Sequence, residues 1–379
     1  MSTDLDQFRL RLHALLNSFA NNISAPFVAF NVTASGGSDI LIGYVQSINT
    51  LASGIAQVVG GRLVDRLGRR LKLALVMSVV IGLIWLEAAV FQSTNALAIS
   101  YTAITIGLGF YLAGWNSFLG EATTREGRGS FLSVFARIAS WGSLVALVVT
   151  TAITFVTPSY TALFLISGIA FIASSLFLRG QQEVPVEKQP MSQFGSDLMM
   201  RYYGVTAVYG LFWGFAWPLF TITTVKIVNM SLVEYAFSQF IAVAATIAFQ
   251  ALVGRMVDRN RMRSVFLGRL ALVVYPICYI FFTQAWEIYA INVFSGFTNS
   301  LLNVAYSAYL YDLAPVGRRG RYIAEFNLIT GAATMAGSLS SGYLLTIMSA
   351  GMSLWLSLAY LYVVATIGRL AAALLHLRL

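Results

Sequence analysis

The chain has 379 residues, of which 58% are hydrophobic and only 10% charged, against about 25% charged in a soluble globular domain. This composition excludes an ordinary soluble enzyme, and it asks for a membrane setting in which a formal charge of +9 makes sense. Cys278 is the single cysteine, so no internal disulfide is expected, and His13 and His376 lack the neighbouring ligands of a metal centre. No cofactor is expected.

An apolar run of about 20 residues is long enough, as a helix, to cross the hydrocarbon core of a bilayer. Charge is absent from 12–38, 40–61, 88–120, 138–178, 202–225, 235–253, 288–311 and 326–368. Two of these runs are double length and must turn, near Pro158 and near 349–351. The pattern predicts an all-α polytopic membrane protein of twelve transmembrane helices. In chain order they are 9–32, 39–64, 71–92, 95–122, 129–156, 160–178, 202–228, 232–257, 264–283, 286–313, 320–347 and 352–376. Between the sixth and seventh lies a polar stretch with Gln181, Gln182, Glu183, Pro185, Glu187, Lys188 and Pro190, the composition of a linker. The expected organisation is a six-helix bundle at 1–180, a cytoplasmic linker at 181–198 and a second six-helix bundle at 199–379.

Lys and Arg accumulate in cytoplasmic loops. Setting aside Arg137, which falls inside a helix, every basic residue except Lys226 lies at the termini, in the linker, or in even-numbered loops and the helix ends beside them. Both termini are therefore expected in the cytoplasm of a multi-pass cell-membrane protein. The positive balance is this orientation signal and calls for no nucleic acid. Asp4 and Asp6 precede Arg9 and Arg11, the first apolar run is full length and no small-residue cleavage site follows it, so no cleaved signal peptide is expected.

The second half repeats the first. Gly61-Arg62-Leu63-Val64-Asp65-Arg66 lies over Gly254-Arg255-Met256-Val257-Asp258-Arg259, and Gln46 and Gln57 over Gln239 and Gln250, all 193 residues apart. Pro26 falls on Pro218, Glu121 on Asp312, and Arg128-Gly129 on Arg319-Gly320, with a drift of two residues at most. Six helices per half make the repeats parallel, related by an axis along the membrane normal. Two such bundles can rock to expose a cavity first on one side and then on the other.

The segment Gly61-Arg62-Leu63-Val64-Asp65-Arg66-Leu67-Gly68-Arg69-Arg70 resembles the loop between helices two and three of the major facilitator superfamily, G-x-x-x-D-R-x-G-R-R, and the resemblance extends over nearly the whole chain. Glu121 with Arg128, and Asp312 with Arg319, are similar to a second feature of that family. The resemblance implies a conformational gate of Gly61, Asp65, Arg66, Gly68, Arg69, Arg70, Glu121, Arg128, Asp258, Arg259, Asp312 and Arg319, holding the bundles together on the cytoplasmic side. Residue chemistry adds that Gly61 permits close helix approach, that Asp65 can pair with guanidinium groups, and that Gly68 lets the loop turn. For Arg62, Arg69 and Arg70 the plain alternative is orientation alone.

An ionisable side chain at membrane depth is costly and marks a site by default. Arg137 lies nine residues past Arg128, about 13 Å into helix five, and Glu325 six past Arg319, about 9 Å into helix eleven. Neither charge recurs in the other half, where Leu328 and Val134 stand. The expectation is that Arg137 contacts an anionic group or pairs with Glu325; the alternative is a structural pair. Glu87 sits nearer the outer surface, where snorkelling suffices. Asn22, Asn116, Asn303 and Asn327 can line a cavity or bond neighbouring helices. Tyr209, Trp213 and Trp217 share one face of helix seven before Pro218 and can stack a substrate or pack on a neighbour.

The resulting expectation is a transporter for a small-molecule substrate, secondary active or facilitative, working by alternating access as a monomer in the lipid bilayer. Protons are the candidate coupling ion and Glu325 the candidate carrier. The alternatives are a drug-type efflux antiporter of the same fold, weakened by the absence of a Gly-Pro pair in helix five, of an Arg in helix four and of an acid in helix one, and a non-transporting membrane sensor. No nucleophile with a base and no paired acidic metal motif suggests an enzyme.

Overall fold

The computed structural model describes residues 4–121, 128–181, 197–313 and 319–375. Most of the expected linker, 182–196, lies outside them, as does His376. The helices are α1 (Asp4–Ala34), α2 (Asp39–Leu67), α3 (Arg70–Val90), α4 (Thr94–Glu121), α5 (Arg128–Val156), α6 (Tyr160–Leu176), α7 (Asp197–Ile222), α8 (Leu232–Arg259), α9 (Arg261–Ala271), α10 (Val274–Tyr279), α11 (Ala285–Leu313), α12 (Arg319–Gly351) and α13 (Leu354–Leu375), with a π turn at Thr223–Ile227 after α7. Because α9 and α10 are consecutive pieces of one span, these helices resolve into the twelve expected spans. Among the described residues, six helices are long and apolar enough to cross a membrane by length and composition alone.

The expected first and seventh helices begin five residues earlier than expected, at Asp4 and Asp197, and the expected ninth helix, 264–283, is interrupted. It starts earlier, at Arg261, and breaks at Leu272 and Val273. Pro276 explains the break, since it has no N–H and its ring collides with the carbonyl four residues back, which belongs to Leu272. Pro26 and Pro218 sit inside α1 and α7 without ending them.

Side chains cap the starts of α2, α4, α8, α11 and α13. Ser38, Ser93 and Ser353 hydroxyls accept from the amides of Leu41, Ala96 and Leu356. Ser231 and Glu234 form a reciprocal capping box at the start of α8, and Glu287 accepts from the Thr283 and Gln284 amides ahead of α11. Each cap supplies an acceptor to amides that a helix start leaves without one.

Packing divides the chain into two compact units, one of residues 1–31 and 52–188, the other of 32–51 and 189–379. In the first, glycines let backbones meet: a Cβ on Gly82 would lie 2.7 Å from the Gly168 carbonyl on α6, one on Gly60 2.9 Å from Ala113 on α4, and one on Gly142 would press on the Leu15 carbonyl of α1. Trp85 is fully buried between Phe164, at 5.2 Å, and Tyr101, at 6.5 Å. The second unit repeats these pairings. Gly296 of α11 meets Ala245 of α8 as α4 meets α2, and Gly214 and Gly337 seat α7 on α12 as Gly142 seats α5 on α1. Small residues at such crossings are how helices gain contact in lipid, where apolar burial alone drives little association.

Two glycines of α7 make this testable. A Cβ on Gly214 would overlap the Thr334 backbone, whereas one on Gly204 meets nothing within 4 Å. Gly214→Ala is expected to destabilise by about 1–3 kcal/mol, and Gly204→Ala to leave stability unchanged or raise it by up to about 1 kcal/mol; thermal unfolding of the purified protein in detergent compares them.

Candidate functional site

In the first unit, Arg137 stands on an exposed stripe of α5 with Trp141, Val145 and Val148, while Phe135, Ala146 and Leu147 face the packed interior. Asn116 is exposed on α4. Asn22 is half-buried on α1 and donates to the Ser18 carbonyl one turn back, at 2.9 Å. Glu87 accepts from Ser100 at 3.0 Å, which keeps it local to the α3–α4 end.

His13, which the sequence leaves without company, is fully buried. Its Nδ1 lies 2.9 Å from the Ser174 carbonyl and its Nε2 2.9 Å from the Tyr111 hydroxyl. A carbonyl only accepts, so Nδ1 donates to it, and in the neutral ring Nε2 accepts from the Tyr111 hydroxyl. The Trp115 ring meets it edge-on at 4.9 Å. Three helices, α1, α4 and α6, thereby share one imidazole. The sequence signal was its position just inside the first charge-free run.

In the second unit, the aromatic face of α7 is present as expected: Tyr209 stacks on Trp213 at 6.1 Å, and Trp213 meets Trp217 edge-on at 4.7 Å. Glu325, half-buried on α12, accepts from Tyr203 of α7 at 3.1 Å, and Asn327 is half-buried two residues on. Asn303 is helical, but its side chain lies outside the described set. Residues 32–51, which belong to this unit, pack their part of α2 on α7 and α12. Gln46 donates to Thr221, Ser338 donates to the Gly43 carbonyl at 2.8 Å, and Asp39 pairs with Lys226 on the π turn at 3.2 Å. The one basic residue assigned to the far side thus has a carboxylate waiting for it.

Two arginines that the sequence counts among helix ends, Arg269 and Arg369, are buried, at 0% and 1% exposure. Arg269 donates to Thr206 at 3.3 Å and lies over the Tyr209 ring, 4.7 Å from its centroid. Arg369 donates to the carbonyls of Phe212 at 3.3 Å, Trp213 at 3.1 Å and Leu272 at 2.9 Å. Arg369 closes a charge-free run and Arg269 follows the basic residues Arg261 and Arg263, so in sequence each reads as the edge of a span.

Of the gate residues, Arg66, Arg69 and Arg259 are exposed, whereas Arg70 is buried at the start of α3. Gly68 has φ +62°, the left-handed turn expected of it. Gly61 differs from expectation: a Cβ there meets nothing within 4 Å, and the close approach to α4 belongs to Gly60. The side chains of Asp65, Glu121, Arg128, Asp258, Asp312 and Arg319 lie outside the described set. Among the described residues no three His, Cys, Asp or Glu side chains gather as metal ligands.

The family model of the Major Facilitator Superfamily matches residues 12–196 and again 202–378. No curated protein sequence matches the chain significantly. Among solved structures, the chain superposes on a mutant of the nucleoside transporter NupG with a TM-score of 0.80 at 12% identity, covering 99% of both chains. An auto-inhibited POT-family peptide transporter gives 0.80 at 13% identity, over 100% of this chain and 97% of the other. A D-xylose–proton symporter gives 0.70 at 18% identity, over 97% of each. At these identities the superpositions establish the fold alone.

Two contrasts check the local geometry. Gly68→Ala, forced into a left-handed turn, is expected to cost about 1–2 kcal/mol, and Gly61→Ala nothing, by thermal unfolding. His13→Leu strands the Tyr111 hydroxyl among buried groups and is expected to cost about 1–3 kcal/mol, measured in the same way.

Proposed function

The chain belongs to the major facilitator superfamily, and from that premise we propose that it moves a small solute across the cell membrane by alternating access, with both termini in the cytoplasm. The observation that carries this reading is that the family model matches each half of the chain separately, at 12–196 and 202–378. Two parallel six-helix repeats are the arrangement in which one bundle can rock against the other around a site near the midplane.

In this reading the substrate carries an anionic group that Arg137 receives, its exposed guanidinium offering paired donors to a carboxylate or phosphate. Trp213 and Trp217 supply flat apolar surface, and Asn22, Asn116, Asn303 and Asn327 supply amide donors and acceptors. Glu325 is the proton carrier. Tyr203 donates to its Oε2, and a hydrogen bond of this kind is stronger to a carboxylate than to the neutral acid, so proton uptake at Glu325 changes what holds α12 to α7. Coupling to protons also agrees with the D-xylose–proton symporter among the fold neighbours. The loop of Asp65, Arg66, Arg69 and Arg70, with Glu121, Arg128 and the repeats of these residues in the second half, closes the cytoplasmic side during the cycle. The protein works as a monomer.

Ligand binding to the native state raises apparent stability by mass action, about 2.7 kcal/mol at a hundred times Kd. A thermal-unfolding panel of sugars, amino acids, carboxylates, phosphates, nucleosides and lipophilic cations is expected to return an anionic hit that disappears in Arg137→Gln. Uptake of that compound into proteoliposomes is expected to respond to an imposed pH gradient, and Glu325→Gln to remove the response. Stabilisation by lipophilic cations, equal in wild type and Arg137→Gln, would overturn the anion site and favour a drug-type efflux protein.

A further inference from the structure

Arg369 of α13 joins the break in the ninth span to α7, two places far apart in sequence. At the break between α9 and α10, Pro276 has no amide to give the Leu272 carbonyl. At membrane depth such a carbonyl must find a donor inside the protein, because the hydrocarbon offers none. Arg369 Nη1 is that donor, at 2.9 Å. The same guanidinium reaches the middle of α7 through Nε to the Phe212 carbonyl and Nη2 to the Trp213 carbonyl, 3.3 and 3.1 Å.

Its neighbour makes the reach possible. Gly368 has no side chain where a Cβ would overlap the Phe212 ring, so α13 lies directly on α7. The Phe220 ring lies 5.5 Å from the guanidinium carbon, adding ring-face attraction for the cation. No carboxylate among the described residues pairs with Arg369; its charge is held by three carbonyl dipoles and a ring. The α9 carboxyl end also favours a cation there through its dipole.

We propose that Arg369 is a positioning residue: a cation fixed in the fold that ties the break in the ninth span to α7 and thereby sets the orientation of Trp213 and Trp217. The bond to the Trp213 carbonyl acts on the backbone of one of these rings directly, and the second ring follows one turn on, in edge contact with the first. Its consequence for substrate rests on the reading that these tryptophans touch substrate; the positioning itself does not. Lysine cannot replace it, having a single ammonium where a planar fork now serves two helices.

The test uses the full-length protein labelled with 5-fluorotryptophan, its 19F resonances for Trp213 and Trp217 assigned by substitution of each with Phe. In folded Arg369→Lys these two resonances are expected to shift while those of Trp85 and Trp141 stay in place. An Arg369→Lys protein with lower thermal stability but unmoved Trp213 and Trp217 resonances would show a purely structural role and overturn the proposal. Should Arg369→Lys fail to fold, Pro276→Ala with Arg369→Gln restores an amide for the Leu272 carbonyl. That double variant is expected to fold with both resonances still displaced, and their return to wild-type positions would mean that Arg369 serves the break alone. No substrate enters these measurements, so Trp213→Ala in the ligand panel tests the substrate contact separately.

Discussion

A carbonyl or amide left without a partner in hydrocarbon costs several kcal/mol, and the architecture of this chain is arranged around that penalty. Regular helix answers it for most residues. Where the chain departs from regular helix, the structure supplies a specific partner: serine and glutamate caps at the starts of α2, α4, α11 and α13, a five-residue π turn after α7, and an arginine side chain at the break after α9. The caps lie at exposed helix starts, whereas the partner at the break after α9 is buried.

The second constraint is proximity. Glycine at the crossing points brings α3 to α6, α2 to α4, α8 to α11 and α7 to α12 closely enough for backbone to touch backbone. Hydroxyls then bond across the seams, as Ser24 does to the Leu163 carbonyl and Ser167 to that of Ala20. His13 performs the same task for three helices at once. That two units built from related sequence use the same helix pairings is the structural counterpart of the internal repeat.

Against this rigid background, Arg137 and Asn116 stand out because both are exposed on helices whose other faces are packed. Glu325 is half-buried and engages Tyr203, so its chemistry is tied to α7 from the start. Buried Arg269 and Arg369, by contrast, serve α7 itself, through Thr206 and the Phe212 carbonyl. Buried arginines in this protein therefore build the helix that bears the aromatic face, whereas Arg137 stays exposed on α5.

Span number, span limits to within a few residues, the internal repeat, the family and the class of protein were legible from the sequence because each depends on local or periodic properties: apolar length against bilayer thickness, the side preferred by Lys and Arg, and recurrence at a fixed offset. The aromatic face of α7 and the turn at Gly68 were legible for the same reason, one from helical spacing and the other from a residue able to take positive φ. What tertiary structure alone decided is which groups meet. Gly60 rather than Gly61 makes the close approach, because helix rotation and not the motif selects the facing residue. Pro276 was visible, but the donor that repairs its break lies 97 residues from Leu272 in sequence. Arg369 looks like a helix-end charge in one dimension, and becomes a buried strut only because α7, α9 and α13 converge around it in three.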